Sequence, residues 1–306
     1  MKSSLWSVTF WTLLSCLGFV FDGTLICIMT QSHSALSTSF LRVSSASVVI
    51  FFILAVRYLC DPKRGRQEWS EVTWSMSRTS YARVIIAAAG HICWAKSFEL
   101  LPFTEVVTFK FMSPLVNTVV GLFILRSAIN LQQIGGITCL ILGTLILKSG
   151  SDFSIDTWII LYPLLAVLSL AITHYLGKEA LKEPKNFPTQ ECLRYLVGTS
   201  ILLGTGLLVF EPSSLFFDMK MFLGFGISNT IAYYGLHYGL GLGSFYYVMS
   251  LGCFRWIISL AIGVTFFGES ITDSLAYGSL VVCLGLGCMI WSEMKKKRTQ
   301  LAAAAS

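Results

Sequence analysis

Residues 6–29 read WSVTFWTLLSCLGFVFDGTLICIM, an apolar run whose only charged residue is Asp22. A helix that crosses the roughly 30 Å hydrocarbon core of a bilayer needs about 20 mainly apolar residues. The run is too long for the apolar part of a signal peptide, which spans about 7–15 residues, and no small-residue cleavage site follows it. It therefore predicts a transmembrane helix that is retained in the protein.

Nine further runs of the same character follow along the chain. The ten predicted spans lie at 6–29, 36–59, 82–100, 104–125, 130–148, 156–176, 192–210, 219–238, 245–267 and 273–292. The composition agrees, because 55% of the 306 residues are hydrophobic and only 12% are charged, whereas soluble domains carry about 25% charged residues. The predicted fold is an all-α integral membrane bundle of ten transmembrane helices.

The positions of the basic residues predict the orientation. Lys and Arg exceed Asp and Glu by six, and they concentrate at 57–83, 178–185 and 295–298, after the second, sixth and tenth spans. Cytoplasmic connections retain Lys and Arg, so we expect a multi-pass protein of the cell inner (plasma) membrane with both termini cytoplasmic. Because these residues follow apolar runs and form no separate basic face, nucleic acid is not an expected partner.

Polar residues recur at related spacings in the two parts of the chain. Asp22 precedes Arg42 by 20 residues, His174 precedes Arg194 by the same interval, and the two pairs are offset by 152. FILRSAINLQQIG at 123–135 likewise aligns with FFGESITDSLAYG at 266–278. Five helices per half would place the second half upside down, as in many secondary carriers. We predict a first repeat at 1–150, a second, inverted repeat at 151–298, and a tail or cloning remnant at 299–306.

Several classes of protein lack support in the sequence. The nine cysteines include no C-x-x-C pair, so we predict no metal site, disulfide framework or cofactor. There is no Walker A sequence to drive transport with ATP, and no ATPase subunit is implied. No G-x-S-x-G, H-E-x-x-H or paired intramembrane aspartates indicate an enzyme. A channel would repeat its pore-lining element by oligomer symmetry. The sequence favours a carrier, monomeric or homodimeric, whose partners are membrane lipid and a small-molecule substrate.

Two longer stretches carry a family resemblance. They are ELLPFTEVVTFKFMSPLVNTVVGLFIL at 99–125 and FFGESITDSLAYGSLVVCLGLGCMIWSE at 266–293, the second with a Gly268-Glu269 pair. The chain resembles the drug/metabolite transporter superfamily, specifically its EamA-type ten-helix carriers, although Leu125 and Arg126 stand where the first half would repeat Gly-Glu. The resemblance implies two five-helix halves that transport a metabolite by alternating access.

A narrower resemblance concerns the substrate. Asp22, the Phe40-Leu41-Arg42 entry to the second span and the Phe254-Arg255-Trp256 triplet are similar to features of the S-adenosylmethionine carriers of intracellular bacteria. This implies S-adenosylmethionine or a related amino-acid-like zwitterion as substrate. An exporter of amino acids or other metabolites is the alternative.

Ionisable residues inside a span usually face the bundle interior or a water-filled cavity. Arg255, between Phe254 and Trp256, is the first candidate for substrate binding, because a guanidinium binds a carboxylate through two hydrogen bonds. A structural salt bridge is the alternative. Lys110 is a second candidate for the same role. Glu105 is a candidate for coupling or gating, with snorkelling to the interface as the alternative.

Asp22 is a candidate for binding a cationic substrate group. His174 and Arg42 are candidates for coupling or gating, with packing and helix anchoring as their alternatives. The remaining predicted substrate-binding residues are mostly aromatic and could stack on an adenine or enclose a sulfonium; an interfacial aromatic belt is the alternative. They are Trp94 in the third span, Asn229, Tyr233, Tyr234, His237 and Tyr238 in the eighth, and Phe254 and Trp256 in the ninth.

Overall fold

The chain folds into long α-helices. The computed structural model describes residues 5–61, 78–101, 157–182, 188–214, 218–243, 247–248, 251–252, 254–266 and 268, with single residues or short groups between 103 and 146 and between 273 and 295. The helices are α1 (Leu5–Met29), α2 (Ala35–Cys60), α3 (Arg78–Leu100), α4 (Thr157–Ala180), α5 (Pro188–Phe210), α6 (Met219–Leu242) and α7 (Phe254–Phe266). A 3-10 turn at Pro212–Ser214 joins α5 to α6.

These helices correspond to the first three predicted spans and to the sixth through ninth. Helices α3 and α5 each begin about one turn before the predicted spans, and α6 ends about one turn after its own. Helix α7 begins at Phe254 after a turn at Gly252, later than the predicted start at 245. The fourth, fifth and tenth predicted spans lie largely outside the described residues.

Local sequence accounts for several helix ends. The Ser34 hydroxyl caps α2 by accepting a hydrogen bond from the Ser37 amide, and the Asp218 carboxylate caps α6 by accepting from Lys220 and Met221. Pro188 stands first in α5, where its missing N–H is not needed. Helix α6 ends at Leu242 and is capped by Gly243, whose amide donates a hydrogen bond to the Gly239 carbonyl oxygen. Polar caps at the ends of apolar runs therefore delimit these helices.

Four of the described helices are long and apolar enough to cross a membrane: Trp6–Met29, Ala35–Cys60, Trp158–Ala180 and Pro188–Phe210. Large apolar side chains such as Phe10, Phe52 and Leu208 lie exposed on the helix surfaces. In a bilayer, lipid covers such side chains while each helix satisfies its own backbone hydrogen bonds. The protein is an all-helical, multi-pass membrane protein.

The most extensive helix contacts join segments that precede residue 150 to segments that follow it: α1 with α6, α3 with α4, α2 with α6, and α2 with α5. Glycines allow the closest approach. A Cβ added at Gly18 would lie 2.5 Å from the Ala232 backbone nitrogen, and one at Gly235 would lie 2.7 Å from the Trp11 carbonyl oxygen. Small residues permit this backbone contact between membrane helices. The α6 glycines therefore serve close packing within a continuous helix.

Candidate functional site

An acidic and a basic side chain from the first two helices pair inside the bundle. The Arg42 Nε donates a hydrogen bond of 2.8 Å to Asp22 Oδ1, and its Nη2 lies 2.6 Å from Asp22 Oδ2. Asn229 of α6 donates from Nδ2 to the same Oδ1 over 2.7 Å. Both charged side chains are buried. This two-point contact pairs the two charges directly, and it places Arg42 inside the bundle rather than at a helix end.

The next member of the network is His91 of α3. Its Nδ1 lies 2.8 Å from Arg42 Nη1, and because arginine can only donate, Nδ1 accepts. The remaining ring nitrogen, Nε2, therefore carries the hydrogen and donates to the Tyr195 hydroxyl over 2.9 Å, with the Tyr233 hydroxyl at 3.4 Å. These bonds define His91 as a neutral imidazole.

A second charged cluster joins α3, α5 and α6. Arg83 Nη1 pairs with Glu191 Oε1 at 2.7 Å, and Arg83 Nη2 donates to His237 Nε2 over 2.6 Å. His237 Nδ1 donates to the Tyr233 carbonyl oxygen over 2.6 Å. One nitrogen accepts and the other donates, so His237 is neutral as well. The Arg83 guanidinium also lies over the Tyr195 ring at 4.3 Å, which links this cluster to the first.

Glu191 is shared between two arginines. Its Oε2 lies 3.9 Å from Arg194 Nη1, while its other oxygen is held by Arg83. All three side chains are buried. Glu191 thus connects arginines of α3 and α5 inside the bundle.

Arg255 and His174 lie next to these clusters. The Arg255 guanidinium stacks on the Phe19 ring at 4.0 Å and faces the Cys16 thiol, both on α1. His174 of α4 is 4% exposed, and neither of its ring nitrogens has a hydrogen-bond partner. The charges of Arg255 and Arg83 both act on the His174 ring. Arg255 and His174 follow residue 150 in the chain, whereas Phe19 and Arg83 precede it.

The predicted aromatic residues separate into three places. Tyr233 and His237 are buried in the network just described. Tyr234 accepts a 2.8 Å hydrogen bond from Arg57 Nη2 and contacts Tyr238, and both tyrosines pack against Trp11. Trp94 packs edge to face with Phe98, at a ring distance of 5.0 Å, inside an apolar cluster.

Of the other predicted site residues, Phe254 has 43% of its surface exposed at the start of α7. Asn229 is buried against Asp22. Lys110, Glu105 and the Trp256 side chain lie outside the residues that the structure describes.

Five residues of the network did not appear among the predicted site residues. Arg194 was noted only for its place in the repeat spacing. His91 lies inside a predicted span, and this position alone would have been enough to make it a candidate site residue. Arg83 was counted with the cytoplasmic basic residues, and Glu191 fell just before a predicted span, because both helices begin earlier than predicted. Tyr195 carries no charge and gave no signal of its own.

The described part of the chain is thus a multi-pass helical membrane protein with a charged, hydrogen-bonded interior. Residues 6–149, slightly less than half of the chain, match the EamA-like transporter family. Over these residues the predicted resemblance to EamA-type carriers is confirmed, and so is the prediction of a transporter rather than an enzyme.

The structural comparison extends over more of the chain. One solved crystal structure superposes with a TM-score of 0.71 over 93% of this chain and 96% of its own, at 14% sequence identity. At this identity the likeness concerns the fold alone. No curated protein sequence matches the chain.

Proposed function

We propose that this chain is a secondary transporter that moves a small organic metabolite across the cytoplasmic membrane by alternating access. The observation that carries the proposal is the buried charged network, to which helices from both sides of residue 150 contribute. Charges inside a membrane protein are costly and usually mark a substrate or ion pathway. The match of residues 6–149 to a transporter family supports the same conclusion.

The proposed architecture has ten spans in two inverted halves, at 1–150 and 151–298, with both termini in the cytoplasm. Contacts of α1 with α6 and of α3 with α4 support it, since each pair joins the two proposed halves. In such carriers the substrate binds near the membrane midplane, and the halves rock around it. Arg255 of α7 stacks on the Phe19 ring of α1. This contact joins the two proposed halves, so a relative motion of the halves would change it.

In the proposed mechanism, Arg255 binds a substrate carboxylate, with Lys110 as a second candidate for that contact. Tyr233 and His237 contribute nearby ring surface and polar atoms. Asp22 and Arg42 form an ion pair with one another, so in this mechanism they support the site and do not contact the substrate.

S-adenosylmethionine, or a related amino-acid-like zwitterion, is the candidate favoured by the sequence resemblance. An exporter of amino acids or other metabolites is the alternative. The test is uptake of labelled S-adenosylmethionine by cells that express the chain, with unlabelled S-adenosylhomocysteine, amino acids and nucleotides as competitors.

Saturable uptake that S-adenosylhomocysteine blocks would establish the adenosyl-amino-acid substrate. Uptake at the level of empty-vector cells, with folded protein verified in the membrane, would eliminate it. If Arg255→Ala leaves transport and affinity unchanged at equal expression, Arg255 does not bind the substrate.

A further inference from the structure

The charges buried in the described part of the bundle do not balance. Arg42, Arg83 and Arg194 are buried and Arg255 is partly buried, while the buried acids in the same region are Asp22 and Glu191. The hydrogen bonds of His91 and His237 define both rings as neutral. Asp22 offsets Arg42 and Glu191 offsets Arg83, which leaves Arg255 without a carboxylate contact among the described residues.

The excess charge has a definite location. Asp22 pairs with Arg42 through two contacts, and Glu191 pairs with Arg83 at 2.7 Å. Arg255 contacts an aromatic ring and a thiol instead of a carboxylate among the described residues, and its Nε has no hydrogen-bond partner. An arginine without a counter-ion in a low-dielectric interior attracts an anion strongly.

His174 supplies unused hydrogen-bonding capacity at the same place. Both ring nitrogens are buried without a partner, which is rare for a polar side chain in a folded protein. The Arg83 guanidinium packs against Gly177, one turn further along α4, because a Cβ there would lie 2.9 Å from Arg83 Cζ. Arg83 Nε is also without a partner. Arg83 and His174 therefore lie on the packed helices α3 and α4 with unused hydrogen-bonding atoms, and the charge of Arg255 acts on the same His174 ring.

We propose that the transported species is an organic anion, and that its acidic group binds between Arg255 and His174, beside Arg83. The inference rests on the proposed carrier function and specifies its substrate class. Arg255 supplies a paired donor for a carboxylate or phosphate, and His174 donates one further hydrogen bond. Since α3, α4 and α7 all contribute, the anion contacts both proposed halves of the protein.

This substrate class differs from S-adenosylmethionine. That compound carries a sulfonium, an ammonium and a carboxylate, so its net charge is positive, and it would add charge to an interior that is already positive. A net anion offsets the excess instead. The two compounds can therefore be distinguished by net charge alone.

The experiment uses purified full-length chain in lipid vesicles, a ¹³C-labelled extract of small metabolites and added S-adenosylmethionine. Mass spectrometry identifies the compounds that accumulate inside the vesicles, with protein-free vesicles as the reference. We expect the accumulated compounds to be net anions at neutral pH. Accumulation of S-adenosylmethionine or of uncharged and zwitterionic compounds alone would overturn the inference while supporting a carrier. No accumulation of any compound by folded protein would overturn the carrier function itself.

Two variants test the site. Arg255→Gln and His174→Gln should each raise the half-saturating concentration of the accumulated anion by about tenfold or more, with the melting temperature of the purified protein unchanged. Arg255→Lys should retain part of the affinity. Lys182→Gln is the matched control, because Lys182 is 57% exposed and pairs with Glu179 at the end of α4. If neither glutamine variant changes the half-saturating concentration at equal amounts of folded protein, the assignment of the site is wrong.

Discussion

At the scale of single residues, the Asp22–Arg42 pair joins the first two helices inside the bundle. Asp22→Asn removes the counter-ion of a buried arginine, and breaking one side of such a pair costs about 3–5 kcal/mol. We expect this variant to lower the melting temperature of the purified protein clearly, whereas Lys182→Gln should leave it almost unchanged.

Replacing both partners with apolar residues of similar volume, Asp22→Leu with Arg42→Met, should recover part of the lost stability, because no charge then remains unpaired. Recovery should be incomplete, because His91 Nδ1 and Asn229 Nδ2 each lose a hydrogen-bond partner. A double variant that is less stable than Asp22→Asn would show that the pair has a role beyond mutual neutralisation.

Tyr195 offers a smaller test of the same network. Its hydroxyl accepts the hydrogen of His91 Nε2, and Tyr195→Phe leaves that donor without its partner at 2.9 Å. We expect a loss of about 1–3 kcal/mol in the free energy of unfolding, measured in detergent. Tyr81→Phe is the matched control, because Tyr81 lies exposed on α3. Equal effects of the two substitutions would show that this hydrogen bond does not contribute to stability.

Sequence reasoning found some of these residues and missed others for an identifiable reason. Asp22 and Arg42 follow one another in adjacent helices, so their spacing brought them to notice, and they form a direct pair. Arg83 and Glu191 are separated by 108 residues. Nothing in a single sequence reports which distant helices will touch, so Arg83 was interpreted as a surface charge.

At the scale of helices, the contact between α1 and α6 depends on glycine. Gly18→Ala would place a methyl group 2.5 Å from the Ala232 backbone nitrogen, and the helices would have to separate. Gly206→Ala in α5 meets only Leu36 Cδ1 at 3.9 Å. Since alanine favours a helix over glycine by about 1 kcal/mol, Gly206→Ala should be neutral or stabilising, while Gly18→Ala should lower the melting temperature. The reverse order would show that α1 and α6 are not tightly packed.

The helices themselves were the most predictable feature. Long apolar runs identified α1, α2 and α4 closely, because lipid requires continuous hydrophobic segments. The starts of α3 and α5 were predicted about one turn late. Their first turns contain Arg78, which is exposed, and Glu191, which pairs with Arg83 of α3. A hydrophobicity criterion stops at both charges.

At the scale of the whole molecule, hydrogen bonds join the start of α2 to the segment after α5. The Ser34 hydroxyl donates to the Glu211 carboxylate, and the Ser37 hydroxyl donates to the Ser214 carbonyl oxygen over 2.8 Å. If the proposed halves separate at this end during transport, linking Ser34→Cys to Glu211→Cys with a short reducible crosslinker should stop transport. Adding a reductant should restore it.

The crosslinking test uses vesicle accumulation of the labelled metabolites as its measurement, in a chain whose exposed cysteines have been replaced. Each single cysteine variant treated with the same reagent is the control. Undiminished accumulation by fully crosslinked protein would show that this end stays closed throughout the cycle, and the alternating motion would then have to be reconsidered.

The pairing of Arg83 with Glu191 also means that the two partners are synthesised at different times. A ribosome that adds about 5–20 residues per second needs roughly 5–20 s to make the intervening chain. During that interval the newly inserted α3 carries its arginine without the carboxylate that will later neutralise it. Because Arg83 lies near the first turn of α3, its long side chain can reach toward water at the membrane surface until α5 arrives. Because Arg83 lies near a helix end, α3 can insert into the membrane before Glu191 has been synthesised.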